Sequence, residues 1–167
     1  MIQKARANAE KLGYTNVEFI QGDIEKMPVL SATADVVVSN CVLNLVPEKQ
    51  NVIKEMYRVL KPGGHFSISD IVLVGELPQQ LKQAAEMYAG CVSGAIQKDL
   101  YLSYIDQKGF ENITIQKEKV ISIPDDVLKS YLTSEEIETF KNGTTGIYSI
   151  TVYAEKPDYS CNTGSGQ

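Results

Sequence analysis

Residues 34–73 limit the fold more than any other part of the chain, because they read strand, helix, strand in close succession. ADVVVSN (34–40) is apolar without alternation, the pattern of a strand covered on both faces. Pro47 opens EKQNVIKEMYRVLKPGG, in which Val52, Ile53, Met56, Val59 and Leu60 fall on one helical face. Lys61-Pro62-Gly63-Gly64 stops that helix, and HFSISDIVL (65–73) is the next strand.

The flanking sequence extends the alternation. Residues 2–12 (IQKARANAEKL) are rich in helix formers and stop at Gly13. NVEFIQGD (16–23) reads as a short strand, and 77–96 as a helix with a glycine-broken end. KDLYLSYIDQKGF (98–110) is amphipathic, with Gly109 as its stop. NITIQKEKVISI (112–123) alternates like an antiparallel strand with one wetter face; a polar helical stretch (125–141), a turn at Asn142-Gly143 and a last alternating strand (146–157) follow. The expected fold class is α/β: a mostly parallel, Rossmann-like sheet with an antiparallel edge and helices on both faces. One domain over 1–157 and a disordered polar tail over 158–167 are predicted.

Composition excludes several function classes. The 167 residues carry a net charge of −5 with lysines scattered rather than clustered, which argues against a nucleic-acid surface. No apolar run approaches the roughly 20 residues of a membrane span. Met1-Ile2-Gln3-Lys4 begins no signal-peptide core. Three cysteines, at 41, 91 and 161, are too few and too far apart for a disulfide framework, so a reducing cytoplasm is the expected location.

In open α/β sheets ligands bind beyond the carboxyl ends of the strands. Three polar pairs or triplets stand there: Gly22-Asp23, Ser39-Asn40-Cys41 and Ser69-Asp70. Taken singly, each has a bland reading. Asp23 caps its own turn, Asn40 and Asn44 satisfy loop backbone, and Cys41 is a small buried hydrophobe.

Together, a strand ending in Gly-Asp, a strand ending in Ser-Asn and YRVLKPGGHFSISD resemble the later half of a class I S-adenosylmethionine-dependent methyltransferase. SNCVLNLVPEKQ and MYAGCVSGAI narrow that resemblance to the arsenite methyltransferase group, over almost the whole chain. It implies an S-adenosylmethionine cofactor bordered by Gly22, Asp23, Ile24 and Asn40, with Asp23 accepting from the adenine amine. It also implies that Cys41 and Cys91 hold As(III). Trivalent arsenic is soft and thiophilic, so thiolates are its natural donors. Thiols in a pyramid leave its lone pair to attack the methyl group, so positioning carries the rate and no general base is required. The expected partners are arsenite or its thiol conjugates and reduced thiols. Cys161, in the polar tail, is read as incidental. Alternatives are a class I methyltransferase for another small molecule, and a catalytically silent thiol- or As(III)-binding module.

The resemblance also implies a first strand, a G-x-G-x-G loop and a second strand ending in an acid, none of which occurs in these residues, and a further upstream cysteine. In the family order the two strands lie between VEFIQ and DVVVSN, which leaves a gap of about 10 Å at ordinary strand spacing. One of three outcomes is expected: collapse of the first 20 residues onto ADVVVSN, a homodimer made by segment exchange, or loss of the preceding piece by truncation. Weak or absent cofactor binding by this chain alone follows.

Overall fold

The structure is a computed structural model that describes residues 1–79, 81–82 and 92–159. Helix α1 (Ile2–Leu12) ends at Gly13, whose left-handed φ of 72° lets its amide return to the helix carbonyls. Strand β1 (Ala34–Asn40) leads through a single 3-10 turn (Leu43–Leu45) to α2 (Lys49–Val59) and the long strand β2 (Leu60–Val74). Helix α3 (Lys98–Lys108), β3 (Glu111–Val120), α4 (Asp125–Lys129), α5 (Ser134–Asn142) and β4 (Gly146–Glu155) complete the chain. Half of 77–96, including Cys91, and the tail beyond Tyr159, including Cys161, lie outside the described residues.

The sheet order is β1-β2-β4-β3. β1 and β2 are parallel, as strands joined by a crossover helix must be, while β4 runs antiparallel to both β2 and β3. Period-two alternation along β2 sends Phe66, Ile68, Asp70 and Val72 to the face covered by α2 and α3. There Val52, Ile53 and Met56 of α2 meet Tyr101 and Ile105 of α3. On the other face Ile71 and Leu73 pack with Leu128, Leu132 and Ile137 from the α4–α5 segment. A Thr133–Glu136 capping box starts α5, and the break before it divides the helical stretch expected over 125–141.

Two expectations are corrected. Residues 16–22 form no strand; only an isolated bridge joins Asp23 and Lys26. A strand needs a neighbour for its backbone groups; none runs beside this segment, and Arg6 Nη2 donates to the Phe19 carbonyl at 3.0 Å instead. β1 is not covered on both faces. Val36 and Val38, registered with His65 and Ser67, are 48% and 75% exposed, so this part of the sheet face has no covering layer among the described residues. β1 is also the terminal strand, and the first 20 residues do not pair with it. An unbroken apolar run reports what a strand is suited to touch, not whether the neighbour is there.

The 23–33 connection is fastened to α2 by one side-chain pair. Arg58 grips the Glu55 carboxylate through Nε and Nη2, each at 2.8 Å. It also donates to the carbonyls of Val29 (2.8 Å) and Met27 (3.0 Å), and Glu55 accepts the Met27 amide at 2.7 Å. The Arg58 hydrogen bond holds the Glu55 carboxyl below its ordinary pKa. Arg58→Ala is expected to loosen this connection, since it takes away the donor that two half-buried carbonyls and the Glu55 carboxylate share. Proteolysis should then cut first within 25–31. Wild-type resistance there in the variant would contradict the clamp.

Candidate functional site

At the carboxyl end of β1 the chain must turn sharply inward, and it does so at Cys41. Its φ of 57° is rare for a residue with a Cβ. The Cys41 amide donates to the Ser69 carbonyl at 2.7 Å, so the parallel ladder with β2 continues one residue past the strand. The side chain is half-buried, and the cysteine is in no disulfide. Leu43 and Asn44 then dive beneath the sheet end, and Asn44 Nδ2 donates to the Ile71 carbonyl at 2.8 Å.

The segment that follows Cys91 meets this loop. Gly94 lies so close to the Asn44 carbonyl that a Cβ would overlap it, and Val92 and Ala95 on either side are buried. Leu73 of β2 ties the same segment down by donating to the Ile96 carbonyl at 2.9 Å. Loop 41–46 and segment 92–96 thus share one end of the sheet.

Beneath that loop lies a buried polar cluster whose functional reading the sequence did not yield. The sequence predicts that Asp70 ends its strand at a pocket rim; it is instead interior to β2 and 1% exposed. Tyr101 Oη donates to its Oδ2 at 2.8 Å, while Oδ1 has no hydrogen-bond donor. Burial pushes the Asp70 carboxyl up to about 6, against the opposing pull of Tyr101, Lys49 and the Leu43 backbone. Burial also lowers the Lys49 ammonium and raises the Tyr101 hydroxyl well above its ordinary value. Lys49 Nζ donates to the Val46 carbonyl at 3.1 Å. The signal was the alternation Phe66, Ile68, Asp70, Val72, which places an aspartate on the apolar face.

The residues expected to border a cofactor are less gathered. Asp23 is exposed, and its Oδ1 accepts the Glu25 amide at 2.9 Å in a local turn, leaving Oδ2 available. Gly22 packs where a Cβ would overlap the Pro28 ring. Ile24 is half-buried against the main core, and Asn40 is exposed at the strand end. A cavity of about 430 Å³ between α1 and residues 13–19 is lined by Arg6, Ala9 and Tyr14 among others, not by these four residues.

Residues 1–109 match the family described as "Methyltransferase domain". With the parallel β1–β2 unit and its loop-bearing carboxyl end, this assigns the chain to that family, the S-adenosylmethionine-dependent class that its motifs resemble. Its relatives narrow the group. It is 42% identical over 147 residues to an arsenite methyltransferase of Halobacterium salinarum, a match covering 84% of this chain and 38% of that protein. An arsenite methyltransferase of Aquipseudomonas alcaligenes is 37% identical over 128 residues, covering 75% and 37%. The chain therefore spans well under half of the curated relatives it matches. Among solved structures, an arsenic(III) S-adenosylmethionine methyltransferase from Chlamydomonas reinhardtii superposes with a TM-score of 0.68 at 32% identity, over 89% of this chain and 48% of that one. YcgJ of Bacillus subtilis reaches 0.74 at 17% identity, over 95% and 79%, and speaks to the fold alone.

Proposed function

We infer that this chain carries the arsenic-binding part of an S-adenosylmethionine-dependent arsenite methyltransferase, with Cys41 and Cys91 as thiol donors to As(III). The observation that carries this reading is the placement of Cys41. It stands at the carboxyl end of a parallel strand, half-buried, in a loop that Gly94 touches. Cys91 stands three positions before Gly94 in the sequence. The arsenite methyltransferase relatives support the substrate class.

The division of labour follows from donor chemistry. Soft thiolates take arsenic, and the loop's hydrogen bonds to β2 fix where Cys41 presents it. Asn40, one residue earlier, borders the methionine side of the cofactor. Gly22, Asp23 and Ile24 border the adenine, with Asp23 Oδ2 as acceptor. S-adenosylmethionine, when bound, supplies an electrophilic methyl group. Reduced thiols serve as cosubstrates. The cytoplasm suits that thiol chemistry, and no described helix is long and apolar enough to cross a membrane.

As(III) titration followed by thiolate-to-arsenic absorption tests the reading. Cys41→Ser is expected to weaken binding at least about tenfold, the low end of what loss of a metal-site partner costs. Unchanged affinity would overturn the assignment. A second reading is a thiol-binding module without catalysis, favoured by the Asp23 oxygen engaged in its own turn. Calorimetry tests the second reading. Weak or undetectable S-adenosylmethionine binding is expected of these residues alone, and micromolar affinity would rule the second reading out. A homodimer by segment exchange, pairing the exposed β1 of one copy with residues 16–21 of another, would appear as a doubled mass in sedimentation.

A further inference from the structure

One edge of β2 fastens the Cys41 loop and then the segment that follows Cys91. Alternate residues of a strand bond to the same side, and along 69, 71 and 73 the partner on that side changes. The Ser69 carbonyl accepts the Cys41 amide at 2.7 Å, and the Ile71 carbonyl accepts Asn44 Nδ2 at 2.8 Å. The Leu73 amide then donates to the Ile96 carbonyl at 2.9 Å. Had β1 run on past Asn40, the amide of residue 43 would have come next, on the Ile71 carbonyl. The left-handed turn at Cys41 takes that amide away, and the Asn44 side chain stands in for it.

Asn44 is 4% exposed, and a carbonyl can only accept, so its Nδ2 end must be the one that faces Ile71. Its Oδ1 is buried with no hydrogen-bond partner among the described residues, a cost that an apolar side chain in the same space would avoid. The main-chain carbonyl of the same residue is the seat of Gly94, which lies closer to it than a Cβ would allow. Asn44 therefore grips β2 with its side chain and carries the 92–96 segment on its backbone.

We propose that Asn44 is a positioning residue for the arsenic site: its side-chain amide replaces a ladder hydrogen bond, lets the chain leave the sheet at Cys41, and fixes the seat on which the segment after Cys91 rests. This deepens the proposed function and rests on Cys41 and Cys91 binding arsenic. The role differs from plain packing in one respect. Loss of the amide frees the seat to move, so any other change that presses on that seat then costs less.

The test is As(III) titration of the full chain, read by thiolate-to-arsenic absorption, beside urea midpoints of the same samples. Asn44→Ala should bind As(III) about tenfold more weakly. Phe110→Leu is the matched control, because its ring packs on Phe66 and Tyr57. It should lower the midpoint and leave arsenic affinity at the wild-type value. Gly94→Ala should cost much less affinity in the Asn44→Ala background than in wild type, since both act on one contact. Wild type itself supplies a further readout should Asn44→Ala fail to fold. In nitrogen-labelled protein the Asn44 side-chain amide should exchange slowly with solvent, and more slowly still once arsenic is bound. Wild-type arsenic affinity in Asn44→Ala, additive losses in the double variant, or an Asn44 amide that exchanges at the same rate with and without arsenic would overturn the proposal. So would a Phe110→Leu affinity that falls in step with its midpoint, because stability alone would then explain the loss. If Cys41→Ser binds arsenic as tightly as wild type, the proposed function fails. Weakened Cys41→Ser beside an unaffected Asn44→Ala sinks the role of Asn44 alone.

Discussion

Phe66→Ala is expected to cost about 3–5 kcal/mol, a large part of the roughly 5–15 kcal/mol that holds a domain of this size together. Phe66 is fully buried at the centre of β2, registered with Val37 on one side and Ala154 on the other. Its ring meets Phe110 edge-on at 4.8 Å, and Phe110 meets Tyr57 in the same way at 5.0 Å, so three aromatic rings join β2, α3's end and α2. Neighbouring layers cannot readily close the hole, because α2 and α3 are already pinned against each other by Met56, Tyr101 and Ile105. The opposite face offers no second core at this level, since His65 and Ser67 flank Phe66 there. Urea unfolding should show a midpoint reduced by roughly a fifth or more, with the slope kept. A loss below about 1 kcal/mol would mean that the site collapses freely and the packing described is not rigid.

Gly94→Ala should strike the site rather than the fold. A Cβ at this position overlaps the Asn44 carbonyl, and that carbonyl belongs to backbone tied through Cys41 to Ser69 and through the Asn44 side chain to Ile71. The loop cannot step aside without breaking those bonds, and Gly94 cannot retreat while Val92 and Ala95 are buried. Overpacking of this kind costs about 1–3 kcal/mol. The functional loss should exceed the stability loss, with As(III) affinity down about tenfold or more as the two thiol-bearing segments separate. Gly13→Ala is the matched control. Nothing lies within 4 Å of a Cβ there, so only the left-handed φ is strained and arsenic binding should be unaffected. Equal arsenic affinity in Gly94→Ala and wild type would deny that this contact sets the site.

Local signals in the sequence went far toward this fold. The stops at Gly13 and Gly109 and the apolar stripe of α2 place three helices, and both glycines are left-handed as a helix stop requires. Alternation placed β3 and β4 within a few residues. What was not legible depends on partners distant in sequence. ADVVVSN has the composition of a doubly covered strand, yet nothing in it reports whether a neighbour and a covering layer are present. VEFIQ failed as a strand for the same reason, since pairing belongs to two segments and not to one. Asp70 looked like a strand terminator because charge is rare inside. Tyr101 and Lys49, the groups that make its burial tolerable, come from two other helices. The candidate thiol at Cys41 stood out from its position at a strand's carboxyl end. The hold that Ser69 and Ile71 exert on its loop emerged only from the packing.

The most direct measurement is protection of individual cysteines. The chain is incubated with As(III), reacted with a thiol-alkylating reagent, and digested, and the extent of modification at Cys41, Cys91 and Cys161 is read by mass spectrometry. Arsenic is predicted to protect Cys41 and Cys91 together at one equivalent while Cys161 remains open to alkylation. Alkylation of Cys41 at the same rate with and without bound arsenic would contradict the account.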